Sequence, residues 1–207
     1  MNLPSNEFIV SYGSLLSHDS RQRFSGFGGA LIPVTIVGMT RHWTTRYDDE
    51  FQTYVGATHD SDAVMNAALA PTPTVTPELR KRERYYDISP VDLADLILHV
   101  DETERDELTE ALRTKKLWIC ESKKLDPANR EYPFVQTYVD TCLVGCLETG
   151  VDRFAHNFVE TTKGWETGWC NDRESPRYPR AARVDKATQQ KIDQILEECD
   201  VLRFRND

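Results

Sequence analysis

Glu83 lies four residues after Leu79 in the run Thr76-Pro77-Glu78-Leu79-Arg80-Lys81-Arg82-Glu83-Arg84-Tyr85-Tyr86. Thr76 suits a helix N-cap and Pro77 the first helical position, so a helix is predicted from Pro77 to about Tyr85. At about 100° per residue, Leu79 and Glu83 share a face, and Tyr86 returns to it if the helix persists. Arg80, Lys81 and Arg84 point elsewhere. A carboxylate on the apolar arc faces inward, where burial raises its pKa, while a neighbour such as Arg82 lowers it. A carboxylate tuned in this way can shuttle protons. The same spacing also fits a plain structural salt bridge with a neighbouring base.

A second candidate is the turn Tyr12-Gly13-Ser14-Leu15-Leu16, which follows the apolar run Phe8-Ile9-Val10. A glycine after a buried strand lets successive backbone N–H groups face one concavity, a nest suited to a carboxylate. An ordinary strand-to-loop turn reads the same way. Cys142 and Cys146 are one helical turn apart, but their phase puts them in an apolar stripe, as core residues. A nucleophilic thiol at Cys142 or Cys170 is the competing reading. The five cysteines form no CxxC pair, and the five histidines no HxxxH or HExxH spacing, so no metal site is predicted. Trp165, Trp169 and the basic stretch to Arg180 form either a lid over an anionic substrate or an extended arm. In the second case, the arm pairs with the acidic segment Asp101 to Glu110.

These residues need elements to hold them. Phe8 to Val10, Leu31 to Gly38, Ala67 to Leu69 and Leu117 to Cys120 read as strands, and Pro71, Pro73 and Pro77 mark a loop. Asp101 to Leu112 reads as a helix. Beyond it, Phe134, Tyr138, Cys142 and Cys146 recur every four residues, with Val135, Val139, Leu143 and Leu147 beside them, as one amphipathic stripe. Val151 to Phe158 and Ile192 to Cys199 give two more helices, the last capped by Asp185. The 207 residues, 39% hydrophobic with formal net charge −9, suit one domain, residues 1–207. The acidic balance disfavours nucleic acid and anionic membranes as partners. No stretch approaches the ~20 apolar residues of a membrane span. The first seven residues lack a secretory signal pattern, and reduced thiols suit a cytoplasmic location.

Taken together, the motifs resemble the gamma-glutamylcyclotransferase family. Tyr12-Gly13-Ser14-Leu15-Leu16 is similar to its opening turn, and Gly38-Met39-Thr40-Arg41-His42-Trp43 to its Gly-x-x-Arg-x-aromatic segment. Asn66-Ala67-Ala68-Leu69 is similar to its next strand. Leu79 to Tyr86 resembles its Leu-Asp-x-Arg-Glu helix with a nearby tyrosine. The resemblance spans about residues 7–122, and Arg80 stands where the family's aspartate is usual.

The resemblance implies an α+β fold, a small mixed β-barrel with flanking helices. To this core, residues 131–207 add a helical C-terminal extension. It implies an enzyme, a carbon–nitrogen lyase or cyclising aminoacyltransferase in class, that converts a gamma-glutamyl amide to 5-oxoproline without a cofactor. Glu83 would be the general acid/base, and Tyr12, Gly13, Ser14, Leu15 and Tyr86 would bind the small-molecule gamma-glutamyl substrate. The alternative is a non-catalytic gamma-glutamyl binding module on the same scaffold. The sequence leaves the leaving group and the oligomeric state open.

Overall fold

A computed structural model of the protein describes residues 3–73 and 76–206, without the side chain of Glu78. Met1, Asn2 and Asp207 of the expected domain, and Thr74 and Val75 of the expected proline loop, lie outside the described residues. The elements run in chain order β1 (Glu7–Ser11), a 3-10 turn (Ser14–Leu16), α1 (His18–Ser25), β2 (Ile32–Tyr47), β3 (Gln52–Thr72), α2 (Pro77–Arg82), β4 (Tyr86–Pro90), β5 (Leu96–Leu98), α3 (Glu102–Leu112) and β6 (Lys116–Ser122). They continue with β7 (Phe134–Val135), α4 (Gln136–Glu148), α5 (Phe154–Thr161), β8 (Thr162–Lys163), β9 (Trp169–Cys170), α6 (Lys186–Glu198) and β10 (Arg205–Asn206).

The architecture is α+β. One mixed sheet has the order β4-β6-β1-β3-β2-β5, with β8 added beside β2. Its β1–β6 and β2–β8 pairs are parallel and the others antiparallel. Among the described residues no pairing joins β4 to β5, so this is a seven-stranded sheet without the closure expected of a barrel. The short strand expected at Ala67 to Leu69 is part of a 21-residue strand. Its alternation is hidden in sequence because His59, Ser61 and Asp62 are exposed midway along it. Pro71, expected in a loop, lies inside β3 opposite Phe8. β2 pairs with β3 only as far as Leu69, so on that side the missing proline N–H costs no ladder bond.

The helix carrying Leu79 is shorter than expected. Thr76 caps it by accepting from the Leu79 N–H (3.1 Å), but helical geometry ends at Arg82. Tyr86, one of two consecutive aromatics that favour extended backbone, starts β4 against Ser122. It therefore comes near Glu83 from a strand and not by helical return.

Residues 131–206 are less purely helical than expected. β7, β9 and β10 form a three-stranded parallel ribbon, and residues 171–184 have no helix. Phe134 stacks on Trp43 of β2 at 4.1 Å between ring centres, and Trp165 meets Trp43 edge-on at 5.1 Å. α4 buries Tyr138, Val139, Cys142, Leu143 and Cys146 in the core shared with the large sheet. Asp185 caps α6 by accepting from the Thr188 N–H at 2.7 Å. No helix among the described residues is long and apolar enough to cross a membrane.

Candidate active site

β1 ends in a cavity of about 440 Å³, part of it open to solvent. Tyr12, Gly13, Ser14, Leu15, Glu83 and Tyr86 all line it, so the structure brings the six residues expected from sequence to one place. Arg82, Tyr47, Tyr54, Tyr138, Cys120, Tyr178 and Arg180 complete much of the wall.

Glu83 occupies the C-terminal cap position of α2. Its N–H bonds the Leu79 carbonyl (2.8 Å) and its carbonyl accepts from the Tyr86 N–H (2.9 Å). These two bonds fix the backbone from which the carboxylate projects. The side chain is 11% exposed and lies 3.3 Å from the Arg82 guanidinium. Burial raises the Glu83 carboxyl above its ordinary range, while Arg82, Arg180 and Arg84 pull against it without cancelling it. The inward carboxylate and the salt bridge, alternatives in the sequence, thus coexist. Burial also pushes the phenols of Tyr12, Tyr47 and Tyr86 up, and the charge of Glu83 adds to this. They remain protonated donors, engaged with the carbonyls of Cys120, Arg82 (2.7 Å) and Val55 (2.7 Å) respectively.

The Tyr12 to Leu15 turn is held from behind by two buried arginines. Arg41 donates to the carbonyl of Tyr12 at 3.2 Å, and Arg21 to those of Leu15 and Leu16 at 2.7 Å each. Within the turn, the carbonyls of Gly13 and Ser14 accept from the N–H groups of Leu16 and Ser17. A planar peptide points its N–H opposite to its C=O, so the N–H groups of Ser14 and Leu15 point away from the turn's own bonds. Gly13 has φ −140°, so its role is not a positive φ. It leaves room: a Cβ there would lie 2.8 Å from Val55 Cγ2 and 2.9 Å from the Tyr138 hydroxyl.

Arg41, the arginine of the Gly-x-x-Arg-x-aromatic segment, is fully buried. It also bonds Asn66, Phe158, Thr161 and Thr162, tying β2, β3 and α5 to the turn. Burial lowers its guanidinium to about 10. Arg80, where the family's aspartate is usual, is exposed.

Sequence reasoning missed Tyr178 and Arg180. The Trp165–Arg180 segment was expected to form a lid or to pair with acidic Asp101–Glu110. Its tryptophans are instead core residues, and its far end bonds the β2–β3 hairpin and the turn. The Tyr178 hydroxyl donates to Ser14 Oγ at 2.8 Å, and Arg180 forks Glu50 at 3.0 and 3.1 Å. Clustered aromatic and basic residues were the available signal, but only the hairpin, invisible in sequence, shows where they go.

Cys142 and Cys146 are fully buried, and burial pushes the first thiol well up and the second to about 12. Neither they nor Cys170 line the cavity. Among the described residues no cluster of His, Cys, Asp and Glu is arranged to hold a metal.

The sequence matches no family model and no curated protein. Its fold, however, is that of solved structures. One described as a gamma-glutamyl cyclotransferase aligns with 90% of this chain and 98% of its own, at 9% identity and TM-score 0.55. An uncharacterized human protein aligns with 90% of this chain and 97% of its own, at 10% identity and TM-score 0.53. YkqA from Bacillus subtilis aligns with 72% of this chain at 15% identity and TM-score 0.52. In that last case the match spans about half of the other protein, 51% of its length. These likenesses establish a gamma-glutamyl cyclotransferase-like fold.

Proposed function

We propose that the chain is a gamma-glutamylcyclotransferase-type enzyme, with Glu83 as general acid/base in cyclising a gamma-glutamyl amide to 5-oxoproline. One observation carries this reading: on this fold, a carboxyl raised by burial shares a small cavity with a turn whose N–H groups remain as donors.

The substrate's α-carboxylate sits against the Ser14 and Leu15 N–H groups. Charge-assisted bonds to backbone donors suit an anion there. The substrate's α-ammonium lies towards Glu83, which removes a proton from it. The freed amine attacks the γ-carbonyl carbon, forming the ring C–N bond and a tetrahedral intermediate. The original C–N bond then breaks as the protonated Glu83 returns its proton to the departing nitrogen. The regenerated carboxylate takes the second proton from the ring nitrogen, leaving the lactam N–H, and releases it to the departed amine or to water. The nucleophile is tethered to its target, so the protein's tasks are holding the conformation and moving protons from the α-nitrogen to the departing one. The shape of the aromatic wall of Tyr47, Tyr54, Tyr86 and Tyr138 limits the conformations available to the chain being cyclised.

The test is a panel of glutathione, gamma-glutamyl dipeptides and gamma-glutamylamines, assayed for 5-oxoproline. At least one class should give 5-oxoproline and free amine in equal amounts. If no member reacts but calorimetry shows binding that requires the α-carboxylate, the protein is a gamma-glutamyl binding module instead. A Cys-dependent hydrolase or acyltransferase is disfavoured by the burial of Cys142.

A further inference from the structure

A strap of irregular chain around residues 177–183, turned at Pro179 and Arg180, runs along one wall of the cavity, from the β2–β3 hairpin to α1. At one end, Arg177 donates to the Phe51 carbonyl (3.2 Å), and the Gln52 amide donates to the Arg177 carbonyl (3.1 Å). At the other, Ser20 Oγ donates to the Arg180 carbonyl (2.9 Å), and Arg183 binds Asp19 (3.0 Å). Two of its side chains enter the cavity wall. Tyr178 heads a continuous polar chain: its hydroxyl donates to Ser14 Oγ (2.8 Å), Arg82 Nη2 donates to the same oxygen (3.0 Å), and Arg82 Nε lies 3.3 Å from Glu83 Oε1. Arg180 packs against the rings of Tyr54 and Tyr178, with Tyr47 further off. It also pairs with Glu50, whose carboxylate lies 3.7 Å from Arg84 as well, so Glu50 is shared between two of the cations that act on Glu83.

We propose that Tyr178 and Arg180 are positioning residues for Glu83, so that the site is complete only with the strap seated; this rests on reading Glu83 as the proton-transferring group. Tyr178 fixes Ser14 Oγ, which with the hydroxyls of Ser20 and Ser25 holds the Arg82 guanidinium, and through it the carboxylate. Arg180 supplies a cation and occupies Glu50. Other groups facing Glu83 are the cations Arg82 and Arg84, together with Tyr12, Tyr47, Tyr86 and Cys120. Those last four are neutral, because burial holds each of them protonated. Removing Arg180 therefore subtracts one of three cations and leaves Arg84 as the cation that Glu50 draws on, and both changes disfavour ionised Glu83.

The experiment uses the full chain labelled with ¹³C at glutamate carboxyls, with the Glu83 signal assigned through Glu83→Gln. Arg180→Met should move the Glu83 titration to higher pH, and the acid limb of kcat/KM with it. Arg180→Lys should bring both back towards wild type. Glu50→Gln, which removes the anion and leaves the Arg180 charge, should move the titration to lower pH, and it decides the matter if Arg180→Met does not fold. Tyr178→Phe should lose about fivefold in kcat, the scale of one neutral hydrogen bond, with KM little changed. Glu83 titrating as in wild type in folded Arg180→Met and Glu50→Gln would overturn the proposal. The titration needs no turnover. Shifts as expected in a protein that releases no 5-oxoproline would refute the catalytic reading and leave the coupling of strap to Glu83 standing.

Discussion

Gly145 lies in the middle of α4, where residue propensity alone says that alanine should be better. Relieving the backbone entropy of a helical glycine gains about 0.8–1.0 kcal/mol. The structure reverses the sign. A Cβ on Gly145 would lie 2.3 Å from the Leu16 carbonyl carbon, 2.3 Å from the Ser17 nitrogen and 2.7 Å from Leu16 Cβ. Two of these atoms are backbone, in the turn that presents Ser14 and Leu15 to the cavity, and no rotamer change can clear them. Overpacking of this kind costs about 1–3 kcal/mol, and backbone contacts place it at the upper end. Less the propensity gain, Gly145→Ala should destabilise the protein by about 2 kcal/mol, or about 4–8 °C in Tm for a chain of this size. Differential scanning calorimetry measures this directly, and KM for the cyclised substrate should rise because the turn is displaced. A variant melting at or above the wild-type temperature would refute the claim that α4 buttresses the turn through this glycine.

Other outcomes follow from the same geometry. Thr76→Ala removes the cap of the six-residue α2 and should cost about 1 kcal/mol by denaturant unfolding, with a loss of activity because Glu83 ends that helix. Burial raises the Glu83 carboxyl, so its stabilising effect is complete below the ordinary value of 4.5 and is lost as pH rises through the folded-state value. Glu83→Gln should therefore melt above wild type at neutral pH, with the gap closing at about pH 4; equal melting temperatures at both pH values would count against that sign. Iodoacetamide should leave Cys142 and Cys146 unmodified in the native protein, by peptide mapping, and Cys142→Ala should cost on the order of 1 kcal/mol while sparing turnover.

Some of this organisation was readable from short-range rules and some was not. Leu79 and Glu83 share a face because four residues are about one helical turn, and Thr76-Pro77 marks the start by capping chemistry, so the inward carboxylate was legible. Where the helix ends was not, because Arg84 and Tyr85 are acceptable helix residues and only the pairing of Tyr86 with Ser122 draws the chain into β4. The long β2–β3 hairpin was hidden for a related reason. Its middle, with His59, Ser61 and Asp62, is polar and exposed, so local hydrophobicity shows only the buried ends. Sheet closure is a long-range property: among the described residues the seven strands pair in one sheet, and no pairing of β4 with β5 closes the barrel expected from family resemblance. Tyr178 and Arg180 reach a site whose other members lie more than ninety residues earlier, apart from Cys120 and Tyr138, and no spacing rule connects them to it.

The most direct test of the account is turnover by Glu83→Gln. Glutamine keeps the shape of the side chain but cannot take the ammonium proton. On a gamma-glutamyl compound that the wild-type protein cyclises, release of 5-oxoproline should fall by at least ~10²-fold, the lower range for loss of general acid–base catalysis, with circular dichroism unchanged. A folded Glu83→Gln protein that still releases 5-oxoproline at the wild-type rate would contradict the assignment of Glu83 as the proton-transferring group.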